Sequence, residues 1–361
     1  MESKKEAVDQ QINRLLLKQN GINLQVIKKN LYFCIKHREM KICIIGAGAL
    51  GTALGNVIAA KNDNDVTLWS IEEDVVRDIS GMHHNHKYFP GVLLNKNLKA
   101  TGDVRVMTGV DVLFLAVPSS VIPGFIQKNK KLISRETLVV NLAKGFGPNK
   151  ETLVETLEEI LPDNPIGTLK GPSFARDIIN NVPTAFTYGV KDKQYRKIIK
   201  ELFKKTTIYL DFTKEVVSVE LVSILKNIYA VSMGIADAHF DSPNLRFLFL
   251  TKAFREMRSI LKELGGDEEV LFKYCGFGDF ALTALNDLSR NRTLGLLIGK
   301  GFFTKDNVNN VVLEGRLATE VFYNKMCDIE GENSKYPIVK ELYYVFDGKN
   351  DISKFVHRII R

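Results

Sequence analysis

The feature that most restricts how this chain can fold is the glycine pattern Gly46-Ala47-Gly48-Ala49-Leu50-Gly51. It directly follows the apolar run Lys41-Ile42-Cys43-Ile44-Ile45 and directly precedes a helical stretch beginning Thr52-Ala53-Leu54. Strand, G-x-G-x-x-G turn and helix, in that order, make a dinucleotide-binding fingerprint. Its glycines permit the tight turn, let backbone approach a pyrophosphate and let the helix pack on the strand; the helix N-terminus adds free N–H groups and the positive end of its dipole. Glycine-rich turns are common, so the weight comes from this context. Gly46, Gly48 and Gly51 are the expected contacts. The second strand ends Leu68-Trp69-Ser70, and an acid there would hold a ribose 2′-hydroxyl whereas an arginine would accept a 2′-phosphate. Here Ser70 and Ile71 occupy the turn, Glu72 and Glu73 follow, and the first arginine is Arg77. The turn is compatible with NAD(H) and with NADP(H).

The rhythm after the fingerprint extends the same architecture. Val66–Trp69, Val112–Val117 and Leu138–Leu142 read as buried strands separated by helix-length segments, the mark of a parallel sheet with crossover helices. Val182–Tyr188 and Thr207–Leu210 add later strands around a helix near 193–204. Beyond Lys214 the apolar residues recur at helical spacing, from Val219 to Val231 and from Leu245 to Leu264, the second run ending at Gly265-Gly266 as a C-cap. The expected fold class is α/β: an N-terminal Rossmann-type doubly wound sheet at 40–213, then a mainly α-helical substrate and catalytic domain at 214–361. Residues 1–39 read as an extension outside the core, with Met40 at the place where such a chain would begin.

Composition excludes several classes. An apolar share of 45% and a charged share of 25% are ordinary for a globular protein and rule out disorder, collagen-like sequence and a disulfide scaffold. The formal charge is +8, yet residues 1–40 hold eight Lys and Arg against four Asp and Glu, half of the excess. The milder remainder suits anionic metabolites better than a duplex, so no nucleic-acid partner is expected. Cys34, Cys43, Cys275 and Cys327 are scattered, with no C-x-x-C pair, which fits a reducing compartment and no zinc site. No stretch reads as the roughly 20 apolar residues of a membrane span, and the N-terminus lacks the pattern of a signal or transit peptide. A cytoplasmic protein without integral membrane association is the expectation.

Reducing a carbonyl with a nicotinamide requires a proton donor beside the carbonyl oxygen and anchors for the rest of the substrate. Lys144, in Asn141-Leu142-Ala143-Lys144-Gly145, lies just past a strand's C-terminal end, where open α/β sheets bind ligands. Lys226 sits inside a strongly apolar helix, where burial lowers a lysine's pKa toward a useful acid–base range unless the stem snorkels to solvent. Asp279, flanked by small residues in Gly276-Phe277-Gly278-Asp279, can partner Lys226 closely. Arg290, in Ser289-Arg290-Asn291-Arg292, offers a bidentate fork for a phosphate. The His83-His84-Asn85-His86 cluster has no acidic or cysteine ligands beside it and reads as a solvated loop, so no metal is expected.

With these residues in place, the chain resembles the NAD(P)-dependent glycerol-3-phosphate dehydrogenases, specifically the bacterial-type enzymes, from about Met40 to the C-terminus. The resemblance rests on Ile45-Gly46-Ala47-Gly48 through Gly51-Thr52-Ala53-Leu54, Tyr88-Phe89-Pro90-Gly91, Val117-Pro118-Ser119, Ala143-Lys144-Gly145, Gly171-Pro172-Ser173-Phe174-Ala175, Leu225-Lys226-Asn227, Gly278-Asp279 and Ser289-Arg290-Asn291-Arg292. The Gly-Pro-Ser-Phe-Ala and Ser-Arg-Asn-Arg runs are the most specific. The extension, Ala238-His239-Phe240-Asp241 and the bulky Lys273–Phe277 stretch depart from the family pattern.

The resemblance implies reversible reduction of dihydroxyacetone phosphate to sn-glycerol 3-phosphate, feeding glycerophospholipid synthesis, and a homodimer. It implies that Lys226 is the acid–base for the C2 oxygen, with Lys144 and Asp279 holding the substrate's polar groups. Gly171, Ser173, Asn227, Thr283, Ser289, Arg290 and Asn291 would complete the substrate site. Ala49, Leu50, Ile71, Lys144, Ala175, Arg290, Val312 and Glu314 would line NAD(H) or NADP(H). The alternatives are a related Rossmann-plus-helical reductase of a 3-hydroxy acid or ketopantoate, and a nucleotide-sensing module without turnover.

Overall fold

Continuous apolar runs make central strands and alternating ones make edges, and a computed structural model shows both. It describes residues 39–61, 64–302, 313–330 and 335–361; the proposed extension, apart from Glu39, lies outside them. Strands β1 (Met40–Ile45), β6 (Val112–Leu115) and β7 (Leu138–Asn141) lie side by side, with Ile42–Ile45 and every residue of β6 and β7 buried. Strand β2 (Asn64–Trp69) alternates buried and half-buried positions because only β5 (Leu98–Thr101) lies beyond it. With β8 (Ile166–Lys170), β9 (Thr184–Val190) and β10 (Ile208–Thr213), the sheet runs in the order β10-β9-β8-β7-β6-β1-β2-β5. The order reverses at β1, so the crevice beyond the C-terminal ends of β1 and β6 is the topological switch point at which such sheets bind ligands.

Three details depart from the sequence reading. Strands β8 and β9 pair antiparallel, so β9 and β10 run opposite to the rest of an otherwise parallel sheet. Helix α1 spans Ala49–Ala59 and so begins inside the glycine pattern rather than at Thr52, because Gly48 in extended conformation serves as its N-cap. The histidine segment is not a free loop: β3 (His84–Asn85) pairs antiparallel with β4 (Phe89–Leu93), and the buried Asn85 donates to the Ala47 carbonyl at 3.0 Å and the Thr52 hydroxyl at 2.9 Å. The hairpin is thereby pinned to the fingerprint turn.

Crossover helices α2 (Ile122–Asn129) and α3 (Leu153–Ile160) pack on each other, and the short α4 (Ala175–Ile179) lies against α1. After α5 (Gln194–Leu202) and β10 come the helices. The 24-residue α6 (Val216–His239) is buried on nearly every side. It is long and apolar enough for a membrane span, contrary to the sequence reading, but its most apolar window lies almost wholly inside the fold, which makes it a core helix. Helix α7 (Pro243–Glu263) ends at Gly265, whose φ of +73° and whose N–H bond to the Lys262 carbonyl close the last turn. Helices α8 (Asp279–Leu285) and α9 (Arg290–Gly299) pack on α6, as do α10 (Leu313–Glu330) and α11 (Pro337–Phe346). The approach of α6 to α9 needs glycine: a Cβ on Gly234 would stand 2.1 Å from the Arg292 carbonyl oxygen, and one on Gly295 2.0 Å from that of Val231.

Candidate active site

The fingerprint turn is built for a dinucleotide. Gly46 has φ +111°, and a Cβ there would meet the Ala116 carbonyl oxygen at 2.7 Å, where the end of β6 crosses the turn. A Cβ on Gly51 would stand 2.0 Å from the Gly46 oxygen, so that glycine lets α1 press on β1. Gly48 differs: only the Tyr88 ring approaches, at 4.0 Å, and no side chain caps α1. Two glycines thus serve packing, while the third stands open beside uncapped helix N–H groups, as the close approach of a pyrophosphate requires. These residues fit a bound dinucleotide. Glu72 is engaged by Lys87 and by the Tyr88 hydroxyl, the latter at 3.0 Å, and Ile71 is 81% exposed.

Beside this turn, loops at the ends of neighbouring strands approach one another. A Cβ on Gly145 would stand 2.3 Å from the Ser119 hydroxyl, so the loop after β7 abuts the one after β6. A Cβ on Gly278 would meet the Pro172 ring at 3.6 Å, which brings the loop after β8 to the start of α8. There a cation cluster assembles from residues far apart in sequence. Lys226, buried on α6, donates to Asp279 Oδ1 at 2.5 Å and to the Thr283 hydroxyl at 2.7 Å. Lys144 donates to the other oxygen of the same carboxylate at 3.0 Å and keeps 24% of its side chain exposed. Asp279, buried at the first turn of α8, therefore bridges two lysines.

Burial governs this cluster. Desolvation draws the Lys226 ammonium down from its ordinary 10.5 to about 7; the Asp279 charge opposes this and the Lys144 charge assists it. A lysine near neutrality beside a partly open partner can give and take a proton at physiological pH. Burial pushes the Cys43 and Cys275 thiols up to about 12, which removes them as nucleophiles. Among the described residues no group of three His, Cys, Asp or Glu side chains is gathered. His86 pairs with Asp78 at 3.2 Å and stacks on His84 instead.

The remaining candidates divide by position. Asn227 is buried next to Lys226, and Ser173 turns back to the Gly171 carbonyl at 2.9 Å. Gly171 is wedged on β9, where a Cβ would stand 2.3 Å from the Ala185 oxygen. Ala175 opens α4. Ser289 is the N-cap of α9, its hydroxyl accepting the Arg292 N–H at 3.3 Å. Arg290 is exposed at the head of that helix and pairs with no carboxylate among the described residues, while Asn291 is half-buried near Gly315. Among the described residues, no hydrogen bond links Arg290 or Asn291 to the Lys226 cluster. Val312 lies outside the described residues, as does the side chain of Glu314.

Two buried charge pairs went unread in the sequence. Lys170, at the end of β8, meets Glu220 of α6 at 3.0 Å, both almost fully buried. Arg292 is held by Asp237 at 2.7 Å and also pairs with Asp287. The signal that singled out Lys226, a charge within an apolar run, was equally present at Glu220 in Val219–Val222.

Known proteins resemble this chain over most of its length. Residues 41–196 match the family pattern described as NAD-dependent glycerol-3-phosphate dehydrogenase N-terminus, and residues 215–357 match the corresponding C-terminus. A glycerol-3-phosphate dehydrogenase of the NAD(P)+ type from Leptospira biflexa is 33% identical over 328 residues, covering 89% of this chain and 97% of that protein. One from Methanothermobacter thermautotrophicus is 38% identical over 264 residues, covering 72% and 81%. The crystal structure of glycerol-3-phosphate dehydrogenase from Coxiella burnetii superposes with a TM-score of 0.81 at 28% identity, over 90% of this chain and 99% of that one. The chain belongs to the NAD-dependent glycerol-3-phosphate dehydrogenase family.

Proposed function

We propose that this chain reversibly reduces dihydroxyacetone phosphate to sn-glycerol 3-phosphate, with the acid–base chemistry at Lys226. The observation that carries the reading is one buried carboxylate, Asp279, shared by two lysines at 2.5 and 3.0 Å, one of them drawn toward neutrality by burial. NAD(H) or NADP(H), held at the fingerprint turn, would supply the hydride chemistry at C2 in either direction. Lys226 gives its ammonium proton to the C2 oxygen during reduction and recovers one from the C2 hydroxyl during oxidation. Asp279 holds the Nζ of Lys226 in place, with Thr283 as its second acceptor. Lys144, on the open side, binds the substrate's oxygens and by like charge keeps the Lys226 proton labile.

The phosphate is assigned to Arg290 and Asn291, with Gly171, Ser173, Asn227 and Ser289 lining the substrate. Arg290 suits this because its guanidinium has no carboxylate partner among the described residues. Gly46, Gly48, Ala49, Leu50, Gly51, Ile71, Ala175 and Glu314 are assigned to the dinucleotide. We further propose a division at 213/214, with residues 1–39 outside the catalytic unit, a homodimeric assembly and a cytoplasmic role in supplying glycerophospholipid synthesis. The test follows absorbance at the reduced-nicotinamide band with dihydroxyacetone phosphate and, separately, with ketopantoate. Turnover of the triose phosphate is expected; turnover of ketopantoate alone would refute the assignment, and binding of dinucleotide without either turnover would favour a sensing module.

A further inference from the structure

Behind the proposed catalytic cluster lies a second lysine–carboxylate pair that the reaction does not consume. Lys170 Nζ reaches Glu220 at 3.0 Å, with both side chains at or below 1% exposure. The same Nζ donates to the carbonyls of Asn141, at 3.2 Å, and Ala143. Glu220 in turn accepts from Asn141 Nδ2 at 2.9 and 3.0 Å and from the Thr168 hydroxyl. Asn141 also brackets the Ala143 peptide, accepting its N–H at 2.9 Å and donating to its carbonyl at 3.2 Å. The partners are thus Asn141 at the end of β7, Thr168 within β8, and Ala143, the residue immediately before Lys144. Glu220 and Lys226 share α6, six residues apart, so one network ties the loop that carries Lys144 to the helix that carries Lys226.

A buried ion pair contributes little net stability, because desolvating both charges offsets their attraction. A well-packed apolar pair would fill the same space at no such cost. What the pair supplies is geometry, since two fixed charges with all their hydrogen bonds made allow one arrangement of the peptides they hold. We propose that Lys170 and Glu220 are positioning residues that set the Lys144 loop against Lys226 and Asp279. The inference rests on the reading of Lys226 and Lys144 as the proton-transfer and substrate-binding groups.

The double variant Lys170→Met/Glu220→Gln removes both charges and leaves the local net charge unchanged, which reduces the direct field of the missing pair at Lys226 and leaves kcat to report displacement of the Lys144 loop. The groups facing Lys226 are Asp279, Thr283 and Lys144, with Lys170 and Glu220 behind them. If the loop carrying Lys144 withdraws, its like charge depresses Lys226 less, and the pH at which triose-phosphate reduction declines moves upward. Misplacement of about 1 Å at a reacting group costs on the order of 100-fold in rate. The expected result is a folded variant with parental melting temperature and parental affinity for NADH by fluorescence titration, but kcat lowered at least about tenfold and the limb shifted to higher pH. Parental kcat with an unmoved limb overturns the proposal. Should the double variant not fold, Glu220→Asp keeps both charges and withdraws the carboxylate by one methylene; a parental limb there overturns it equally. Lys226→Ala run in parallel separates the two failures: if that variant still turns over, the site reading has failed, and if it is inactive beside a parental double variant, positioning alone has failed.

Discussion

Asp279→Asn removes the one carboxylate that Lys226 and Lys144 share while keeping the side chain's shape. Asp279 is 2% exposed and lies 2.5 Å from one ammonium and 3.0 Å from the other, so its charge acts with little screening. An opposite charge at such range holds a pKa up by about 1–3 units. Without it, Lys226 falls from about 7 to roughly 4–6. A two-unit change corresponds to about 2.7 kcal/mol between protonation states. At pH 7 the parent carries its proton on about half of the molecules, and a group near pH 5 carries it on about one in a hundred. Reduction, which needs the ammonium, should therefore slow by about 50-fold at neutral pH, within a range of about 5- to 500-fold. The assay is kcat for dihydroxyacetone phosphate reduction from pH 5 to 9, with a melting curve to confirm the fold. The expected profile keeps its shape and moves to acid, while oxidation of glycerol 3-phosphate, which needs the neutral amine, loses far less. A reduction limb that stays near pH 7, or moves to higher pH, refutes the reasoning.

Four further outcomes follow from the same geometry. Lys226→Ala should lower turnover by about 100- to 10,000-fold with dinucleotide affinity retained in a fluorescence titration; near-parental turnover would remove Lys226 as the proton donor. Arg290→Ala deletes a charge-assisted contact and should raise the KM for the triose phosphate by roughly 10- to 100-fold, and an unchanged KM excludes it from the phosphate. Gly234→Ala would place a Cβ 2.1 Å from the Arg292 carbonyl oxygen, costing about 1–3 kcal/mol by urea unfolding, whereas Gly81→Ala meets nothing within 4 Å and should leave the midpoint in place; equal effects would show that α6 and α9 are not in close contact. Because Lys226 titrates near 7 when folded and near 10.5 when free, the unfolded chain binds the extra proton between those values and stability rises with pH across that window. Lys226→Met should flatten that part of the curve, and an unchanged slope would place the titration elsewhere.

The local chemistry was legible along the chain. Gly46-x-Gly48-x-x-Gly51 after an apolar run can satisfy its turn, its close packing and its exposed helix end in few ways other than a Rossmann crossing, and the unbroken runs of β1, β6 and β7 could lie only in a sheet covered on both faces. Lys226 stood out because a charge inside an apolar helix must find a partner. These signals work because residues a few positions apart share one backbone geometry. Which partner each charge takes is another matter: Lys144 and Asp279 are 135 residues apart, and Lys226 lies 53 from Asp279. Glu220 carries the same signal as Lys226, a charge within an apolar run, but nothing in the strand that ends at Lys170 marks that lysine as its partner. The reversal of β9 against β8 and the pinning of Asn85 on the fingerprint turn are of the same kind. Neighbours in sequence select an element's type through backbone sterics and periodicity, but the partners of its buried charges are selected by desolvation, which acts only once packing has excluded water from both.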